Sequence, residues 1–478
     1  MFNEKTYQAD GYDSTWRDEK ESASASVQTT EFSVREQGTN TGKSVSIETQ
    51  TDKLKEATVA TNVDMNRLAD FLKAVCPNML NELNDARITN AMASVKISED
   101  SSAVTASMLQ ELELANDNSN EKLFVSALSW NSTGNTLAVS GSYTHETWCY
   151  HEGNVHLYTF NRNNELPAMS TKILVCGACV TSVNFHPTVP SVLSAGTISG
   201  EIYIWNCQDD DKDGLIATLS AHDERITHVT WISNADPKKQ SILLASSGLD
   251  AFLNLWDVNV DDSVVKLKQK YSVGRARSIN AANSTTKSCV RGIVEFDFSP
   301  HVSGLFVVGL EGGAIVKCSL LGAKQLPVSE GDLVSIFDPS VSAFEKHEGE
   351  ISTVTFSPHR NDIFLTCGSD NEIRIFNIDQ ITPVQIIFVE QTLHAVAWVP
   401  YQEKLVVGCG DNGCIKVFSM LNGQQIPNAA SDNKTTLTQL ALNKKRTDMA
   451  VFGNSNGQLQ LWNFPWNNIA IHDSFKRL

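Results

Sequence analysis

His222 and Asp250 have the side chains of a general acid–base pair, which makes them the first candidates for catalysis. His222 precedes a strand-like run, and Asp250 lies in the tight turn of the hairpin that follows. This spacing and turn context favour a fixed, structural hydrogen bond. The chain also has no phosphate-binding glycine-rich loop before a helix and no nucleophile elbow. We therefore predict no catalytic residue and a non-catalytic protein.

Two cysteine-containing segments raise the question of redox or metal chemistry. The CGAC motif at 176–179 precedes a strand, whereas a redox motif needs a helix N-terminus to lower a thiol pKa. The run HETWCYHEGNVH at 145–156 contains metal-binding residue types. It lies in an extended hairpin whose side chains alternate in direction. We interpret it as simple packing, or as a partner-facing hairpin anchored by Trp148 and Tyr150, and predict no metal ligand and no cofactor.

Composition excludes several classes of function. The formal net charge is -17, whereas a general nucleic-acid binder needs a basic face, so we expect no nucleic-acid partner. No run of about 20 apolar residues exists, so no membrane span is expected. The N-terminus lacks an apolar signal core, and the ten cysteines follow no disulfide framework, so we expect a cytoplasmic protein.

The composition changes near residue 120. Before it, Ser, Thr, Glu, Asn and Gln dominate, and such a stretch cannot bury enough apolar area to fold alone. After it, short β-rich runs alternate with turns. We predict a disordered arm over 1–62, an amphipathic helix over 63–86, a linker over 87–120 and a folded domain over 121–472.

The β-rich runs form seven similar units. Each unit has an alternating strand, a second strand that ends in small residues, a turn and a third strand. The third strands end, about 40–50 residues apart, at Phe160, Trp205, Trp256, Cys318, Phe376, Phe418 and Trp462. One such unit cannot bury both of its faces, but radial stacking covers them and ring closure removes long exposed edges. The predicted fold is therefore all-β, a seven-bladed β-propeller.

The repeats resemble the WD40 family. The third unit has the structural tetrad of that family at matching positions, which are His222, Ser246, Asp250 and Trp256. The resemblance implies that Asp accepts from His, His from Ser, and Ser from the indole N–H. The fifth unit keeps His347, Thr366 and Asp370 but has Phe376 in place of the tryptophan.

Two short segments of the arm have β-branched residues around a Gln-Thr pair. Such segments suit strand addition to a free sheet edge. The TQT core resembles the peptide bound by the DYNLL-type light chain of dynein, which is a dimer with two grooves. The expected contact residues are Val27, Gln28, Thr29, Thr49, Gln50 and Thr51. Two motifs in one chain allow avidity.

A helical stripe follows, capped by Asp64 and expected to end before Pro77, with a second short helix over 77–86. The apolar residues of the two segments are Met65, Leu68, Phe71, Leu72, Val75, Met79, Leu80 and Leu83. A helix this short needs a covering surface. That surface is either a partner or this protein's own propeller.

The order of disordered arm, TQT motifs, helix and propeller resembles the dynein intermediate chains. The words ADFL at 69–72 and NELN at 81–84 resemble the roadblock-binding region of the cytoplasmic dynein-2 type. The resemblance implies a propeller that binds the dynein heavy chain. It also implies an arm that binds DYNLL-type, roadblock-type and, as a further candidate, Tctex-type light chains beside a second intermediate chain. The implied setting is retrograde intraflagellar transport and cilium assembly, in the cytoplasm, cytoskeleton, cilium or flagellum and basal body.

Two alternatives stay open from the sequence. An axonemal dynein intermediate chain also ends in a degenerate propeller. A WD40 substrate receptor or adaptor would instead need a peptide-binding top face and an adaptor-binding segment, neither of which the sequence displays.

Overall fold

The apolar runs and turns form seven sheets, antiparallel except for one strand pair, which are the blades of a seven-bladed β-propeller. The computed structural model describes residues 65–88, 106–114, 122–145, 149–208, 214–233, 242–260, 262–273, 291–327, 334–420, 423–426 and 434–466. The prediction of an all-β, seven-bladed propeller is confirmed. The segment 1–62, which we predicted to be a disordered arm, lies outside the described residues.

The first strand of the chain, β1 (Ser107–Glu113), lies apart from the others in sequence. Blade 1 follows with β2 (Leu123–Trp130), β3 (Thr136–Tyr143), β4 (Gly153–Thr159) and β5 (Lys172–Cys176). Blade 2 has β6 (Val180–Phe185), β7 (Val192–Thr197), β8 (Glu201–Asn206) and β9 (Leu215–Ser220). Blade 3 begins with β10 (Ile226–Ser233), β11 (Ile242–Gly248), β12 (Phe252–Asn259) and β13 (Val264–Ser272).

The second half of the ring contains blades 4 to 7. Blade 4 has β14 (Ile293–Phe298), β15 (Leu305–Leu310), β16 (Ala314–Ser319) and, after the short β17 (Lys324–Gln325) and β18 (Ile336–Asp338), β19 (Ser340–Ala343). β18 pairs in parallel with β13 and antiparallel with β17, so β17 and β18 extend blade 3 to six strands. Blade 5 has β20 (Ile351–Phe356), β21 (Ile363–Gly368), β22 (Glu372–Asn377) and β23 (Gln385–Phe388). Blade 6 has β24 (Leu393–Trp398), β25 (Leu405–Gly410), a 3₁₀ turn (Asp411–Gly413), β26 (Ile415–Ser419) and β27 (Gln425–Ile426). Blade 7 has β28 (Leu437–Leu442), β29 (Met449–Asn454) and β30 (Gln458–Asn463).

The ring is closed by β1. This strand pairs antiparallel with β30, from Ser107 opposite Asn463 to Glu113 opposite Gln458, and is the outer strand of blade 7. The first strands of successive blades contact one another around the ring, and β28 contacts β2. Our prediction of a linker over 87–120 is therefore wrong for residues 107–113. The apolar pattern of this strand in the sequence is weak because an outer strand has one face in water. Within β1 only Leu112 is buried.

The core lies between the blades. A middle strand such as β7 is buried along its whole length because neighbouring blades cover both faces, whereas the outer β9 is mostly half-buried or exposed. Small residues set the approach between blades. A Cβ atom added to Gly196 would clash with Ile226 of the next blade, and one added to Gly453 would clash with Val125 where blade 7 meets blade 1. These contacts explain why second strands end in small residues.

The arm contains one described helix, α1 (Met65–Ile88), which continues through Pro77. The prediction of a break before Pro77 and a second helix over 77–86 is therefore wrong. Proline removes one hydrogen bond inside a helix and costs about 3 kcal/mol relative to alanine. Good helix formers lie on both sides of Pro77, among them Leu72 and Glu82. None of the helices in the described part of the chain combines the length and apolar character needed to cross a membrane.

Candidate interaction sites

In blade 3, four side chains from four positions of the repeat form one chain of hydrogen bonds. Asp250 lies in the turn between β11 and β12 and accepts from Nδ1 of His222, with both carboxylate oxygens at 3.0 Å. Nε2 of His222 lies 2.9 Å from Oγ of Ser246, which accepts from the indole N–H of Trp256 at 3.0 Å. A carboxylate only accepts, so Nδ1 of His222 carries a proton and donates to Asp250.

The electrostatics of this network match a structural role. Burial by itself raises the pKa of Asp250, but hydrogen bonds from His222 and from the backbone N–H of Phe252 outweigh burial and lower that pKa overall. The carboxylate therefore stays ionised at neutral pH. Both nitrogens of the imidazole are occupied within the network, which leaves none free for proton transfer to a substrate.

Blade 5 has the same network without its last donor. Nδ1 of His347 lies 2.8 Å from Asp370, and Nε2 lies 2.8 Å from Oγ1 of Thr366. Phe376 occupies the tryptophan position and packs flat against Phe364, with ring centroids 5.2 Å apart. Arg374 adds ion pairs that blade 3 lacks, to Glu372 at 2.7 Å and to Asp370 at 3.8 Å.

Shifted pKa values often mark functional sites, and three of the other titratable groups that have them lie where neighbouring blades meet. Burial lowers the pKa of His228 to about 4 and raises the pKa of Glu295 well above its usual value, and the two side chains meet at 3.0 Å. Burial also raises the pKa of Asp297 to about 6, although its carboxylate accepts the backbone N–H of Phe356 at 2.7 Å. These contacts join blade 3 to blade 4 and blade 4 to blade 5. They therefore connect neighbouring blades.

The hairpin between β3 and β4 brings together residues that the sequence analysis kept apart. The donor atoms of His145, Cys149, His151 and Cys179 all lie within 4.8 Å of one another. The expected alternation of side chains does not apply, because His145 and the residues at 149–152 lie outside the strands. Cys179 comes from the loop before β6 of the next blade, so no local spacing pattern could have included it.

The CGAC motif separates into two unrelated environments. Cys176 is buried among side chains of blades 1 and 2, and burial raises its pKa to about 12. Burial also raises the pKa of Cys179 to about 11. A redox pair needs a lowered thiol pKa. Neither thiol has the lowered pKa of such a pair.

The other residues assigned from the sequence fall into two groups. The six residues of the TQT motifs, at 27–29 and 49–51, lie outside the described residues, as does Trp148. In α1 the side chains of Met65, Leu68 and Leu83 also lie outside them. The remaining apolar side chains of α1 are half-buried at Val75 and exposed at Phe71, Leu72, Met79 and Leu80.

Apolar side chains are also exposed at the outer edge of blade 5, a feature that the sequence analysis missed. Ile386 and Phe388 point to the same side of β23, and Phe388 is 76% exposed. Ile381 and Val384, in the connection before that strand, are exposed as well. Exposed apolar groups that cluster in this way are typical of protein-binding surfaces.

The fold defines the class of this protein as a seven-bladed β-propeller. The sequence matches the family described as "WD domain, G-beta repeat" over residues 214–257 and 339–377. Each match begins at the outer strand of one blade and ends with the third strand of the next. The two matches contain the tetrad of blade 3 and its variant in blade 5.

Comparison with known proteins then points to a particular group. The chain is 24% identical to cytoplasmic dynein 2 intermediate chain 2 of Homo sapiens, over 84% of this chain and 76% of that protein. It is 23% identical to dynein axonemal intermediate chain 4 of Xenopus laevis, over 69% of this chain and 44% of that protein. It is 21% identical to the 78 kDa intermediate chain of the flagellar outer arm dynein of Chlamydomonas reinhardtii, over 67% and 45%.

Proposed function

We propose that this protein is a non-catalytic dynein intermediate chain, of the cytoplasmic dynein-2 type. The observation that carries the proposal is similarity to a cytoplasmic dynein 2 intermediate chain over 84% of this chain and 76% of that relative. Similarity to axonemal intermediate chains covers a smaller share of this chain and of those relatives, so the axonemal alternative ranks second. The proposed setting is retrograde intraflagellar transport and cilium assembly, at the cytoskeleton, cilium and basal body.

In this role the propeller binds the tail of the dynein heavy chain. A closed ring of stacked sheets presents the same surface each time because no long sheet edge can rearrange. The exposed apolar side chains at the outer edge of blade 5 are candidates for part of that surface. ATP hydrolysis takes place in the motor, and this chain supplies attachment.

The arm binds the light chains in this proposal. The segments centred on Gln28 and Gln50 add a strand to the two grooves of a DYNLL-type dimer. α1 binds a roadblock-type light chain through the side of the helix that carries Leu72 and Met79, which are exposed and seven residues apart, because large exposed apolar side chains on a helix gain free energy when a partner covers them. A Tctex-type light chain and a second intermediate chain are further proposed partners.

Affinity capture tests the function itself. The full chain, tagged at its C-terminus and expressed in ciliated cells, is expected to co-purify a dynein heavy chain, identified by mass spectrometry. The heavy chain of dynein-2 indicates the first proposal, and an axonemal heavy chain indicates the alternative. Recovery of ubiquitin-ligase subunits without any dynein heavy chain would contradict both.

Light-chain binding is tested with the same chain. The double substitution Gln28→Ala and Gln50→Ala is expected to weaken DYNLL-type binding at least tenfold, because it removes both central side chains and the avidity between them. Gln37→Ala, in the same arm but outside both motifs, is the matched control. Isothermal titration calorimetry measures the affinities. Equal affinities for the parent and the double variant would remove the motif assignment.

The helix is tested separately. Leu72→Asp is expected to weaken roadblock-type binding at least tenfold, because it places a charge where an apolar contact is proposed. Lys73→Asp adds the same carboxylate on another side of the helix, since neighbouring residues differ by about 100°. Binding lost equally in both variants would indicate general damage to the helix and contradict a specific apolar contact.

A further inference from the structure

The strongest feature without an assigned role is the cluster of His145, Cys149, His151 and Cys179. It contains two thiols and two imidazoles, and every donor atom lies within 4.8 Å of the others. Cys179 is 1% exposed, the other three are half-buried, and Nε2 of His145 and Nδ1 of His151 are shielded from solvent. The donors therefore face one another inside the protein.

The backbone holds the two contributing segments together. Gly153, where the hairpin returns into β4, passes so close to Ala178 that an added Cβ atom would clash with the Ala178 carbonyl. The backbone N–H of Cys179 donates to Sγ of Cys149 at 3.4 Å. The ring of His151 packs on Tyr143, with centroids 4.5 Å apart. Three contacts thus fix the donors from different sides.

The types of donor atom in this cluster determine which metal ion fits it. Two cysteines and two histidines are a common ligand set for tetrahedral Zn²⁺, with Zn–S near 2.3 Å and Zn–N near 2.0–2.1 Å. Those bond lengths place neighbouring donors about 3.3–3.8 Å apart, so small side-chain rotations close the present cluster on an ion. Among the described residues no carboxylate belongs to this cluster, which disfavours Ca²⁺ and Mg²⁺.

The only other such grouping among the described residues behaves differently. His347, Asp370 and Glu372 also lie close together. Their donor atoms are engaged, however, with one another, with Thr366 and with Arg374. A buried carboxylate–imidazole pair that completes a blade network needs no ion.

We propose that His145, Cys149, His151 and Cys179 bind one Zn²⁺ ion at a structural site. Binding replaces the two thiol protons, which are released to solvent, and the resulting pair of thiolates, two neutral imidazoles and Zn²⁺ carry no net charge. A neutral group suits a buried position. The ion joins the β3–β4 hairpin of blade 1 to the first residue before blade 2. It therefore fixes the hairpin that presents Tyr150, which is 85% exposed.

Metal analysis of the full chain, purified without chelators, tests the site. Mass-spectrometric elemental analysis is expected to find one zinc per chain in the parent and at least a fivefold loss in Cys149→Ser and in Cys179→Ser. Cys207→Ser is the matched control, because Cys207 is also half-buried but lies outside the cluster, and it should retain the metal. Co²⁺ added to the metal-free parent should give the absorption of a tetrahedral thiolate complex, which Cys149→Ser should lack.

Three results of the metal and thiol measurements would overturn the site. They are zinc at equal amounts in the parent and both cluster variants, Co²⁺ absorption typical of octahedral water ligands, and a native disulfide between Cys149 and Cys179. If Cys179→Ser fails to fold, two measurements still test the site. They are the Co²⁺ spectrum of Cys149→Ser and the melting temperature of the parent with a chelator. A chelator is expected to lower the melting temperature of the parent and of Cys207→Ser, but not of Cys149→Ser. An unchanged parent melting temperature would contradict a structural zinc.

Discussion

A chain that begins at residue 115 is expected to lose the stability of its propeller, whereas a chain that begins at residue 100 is expected to keep it. The shorter variant lacks β1, which supplies the outer strand of blade 7. It also lacks Leu112 and Leu114, which pack with Leu123, Val451 and Leu459 where the two ends of the propeller meet. Burying each leucine contributes about 1.5–3 kcal/mol. The pairing of β30 is lost in addition.

The expected result is a melting temperature about 10 °C lower or aggregation on purification, since about 5 kcal/mol is removed and a free sheet edge is exposed. Circular dichroism on heating and size-exclusion chromatography measure both effects. The longer variant is the matched control because it differs only by residues 100–114. Equal melting temperatures for the two would show that β1 does not close the ring.

A point substitution makes the same test without truncation. Leu112→Asp is expected to destabilise the full chain by about 3 kcal/mol, because it places a carboxylate in the cluster at the closure. Leu109→Asp is the control in the same strand, since Leu109 is 51% exposed. An equally small loss of stability from both substitutions would indicate that β1 contributes through its backbone pairing alone.

The second large effect is expected from Asp250→Ala, which should lower the free energy of unfolding by about 3–4 kcal/mol. The carboxylate accepts from His222 and from the backbone N–H of Phe252, and the side chain of His222 is fully buried. Each buried donor left without an acceptor costs about 1–3 kcal/mol. Asp223→Ala removes a neighbouring exposed carboxylate and should change the free energy by less than about 0.5 kcal/mol.

The same network predicts the pH dependence. The pKa of Asp250 is lower in the folded chain than its usual value, because the donors that face it outweigh burial. Its contribution is therefore present above the unfolded pKa of about 3.9 and is lost as the pH falls through the folded pKa. The difference in unfolding free energy between the parent and Asp250→Asn should be largest at pH 6–7 and shrink below about pH 4. Urea unfolding at several pH values measures it, and a difference that stays constant with pH would contradict an ionised Asp250.

Much of the propeller could be predicted because its signals are local. Each blade repeats apolar second and third strands around a turn, and the tetrad of blade 3 lies within 35 residues, from His222 to Trp256. Even the weaker blades keep an apolar second strand, since stacking buries that strand in each of them. The helix in the arm also followed from its apolar spacing, although the effect of Pro77 was overestimated.

Features that join distant segments were not predictable in this way. β1 meets β30 across more than 340 residues, and its sequence SMLQELE has too few apolar positions to identify a strand. Cys179 meets the 145–151 hairpin only because β4 and β5 turn the chain back beside β6. Neither contact leaves a spacing pattern in the sequence.

The sequence by itself thus determined the number of blades, the residues of the blade 3 network and the presence of an apolar helix in the arm. Each depends on contacts between near neighbours, which repeat with the period of the backbone. Only the tertiary structure decided which strand closes the ring and which thiol completes the Cys/His cluster. Those two outcomes depend on where a closed ring brings segments that are remote along the chain, and ring geometry is a property of all seven blades together.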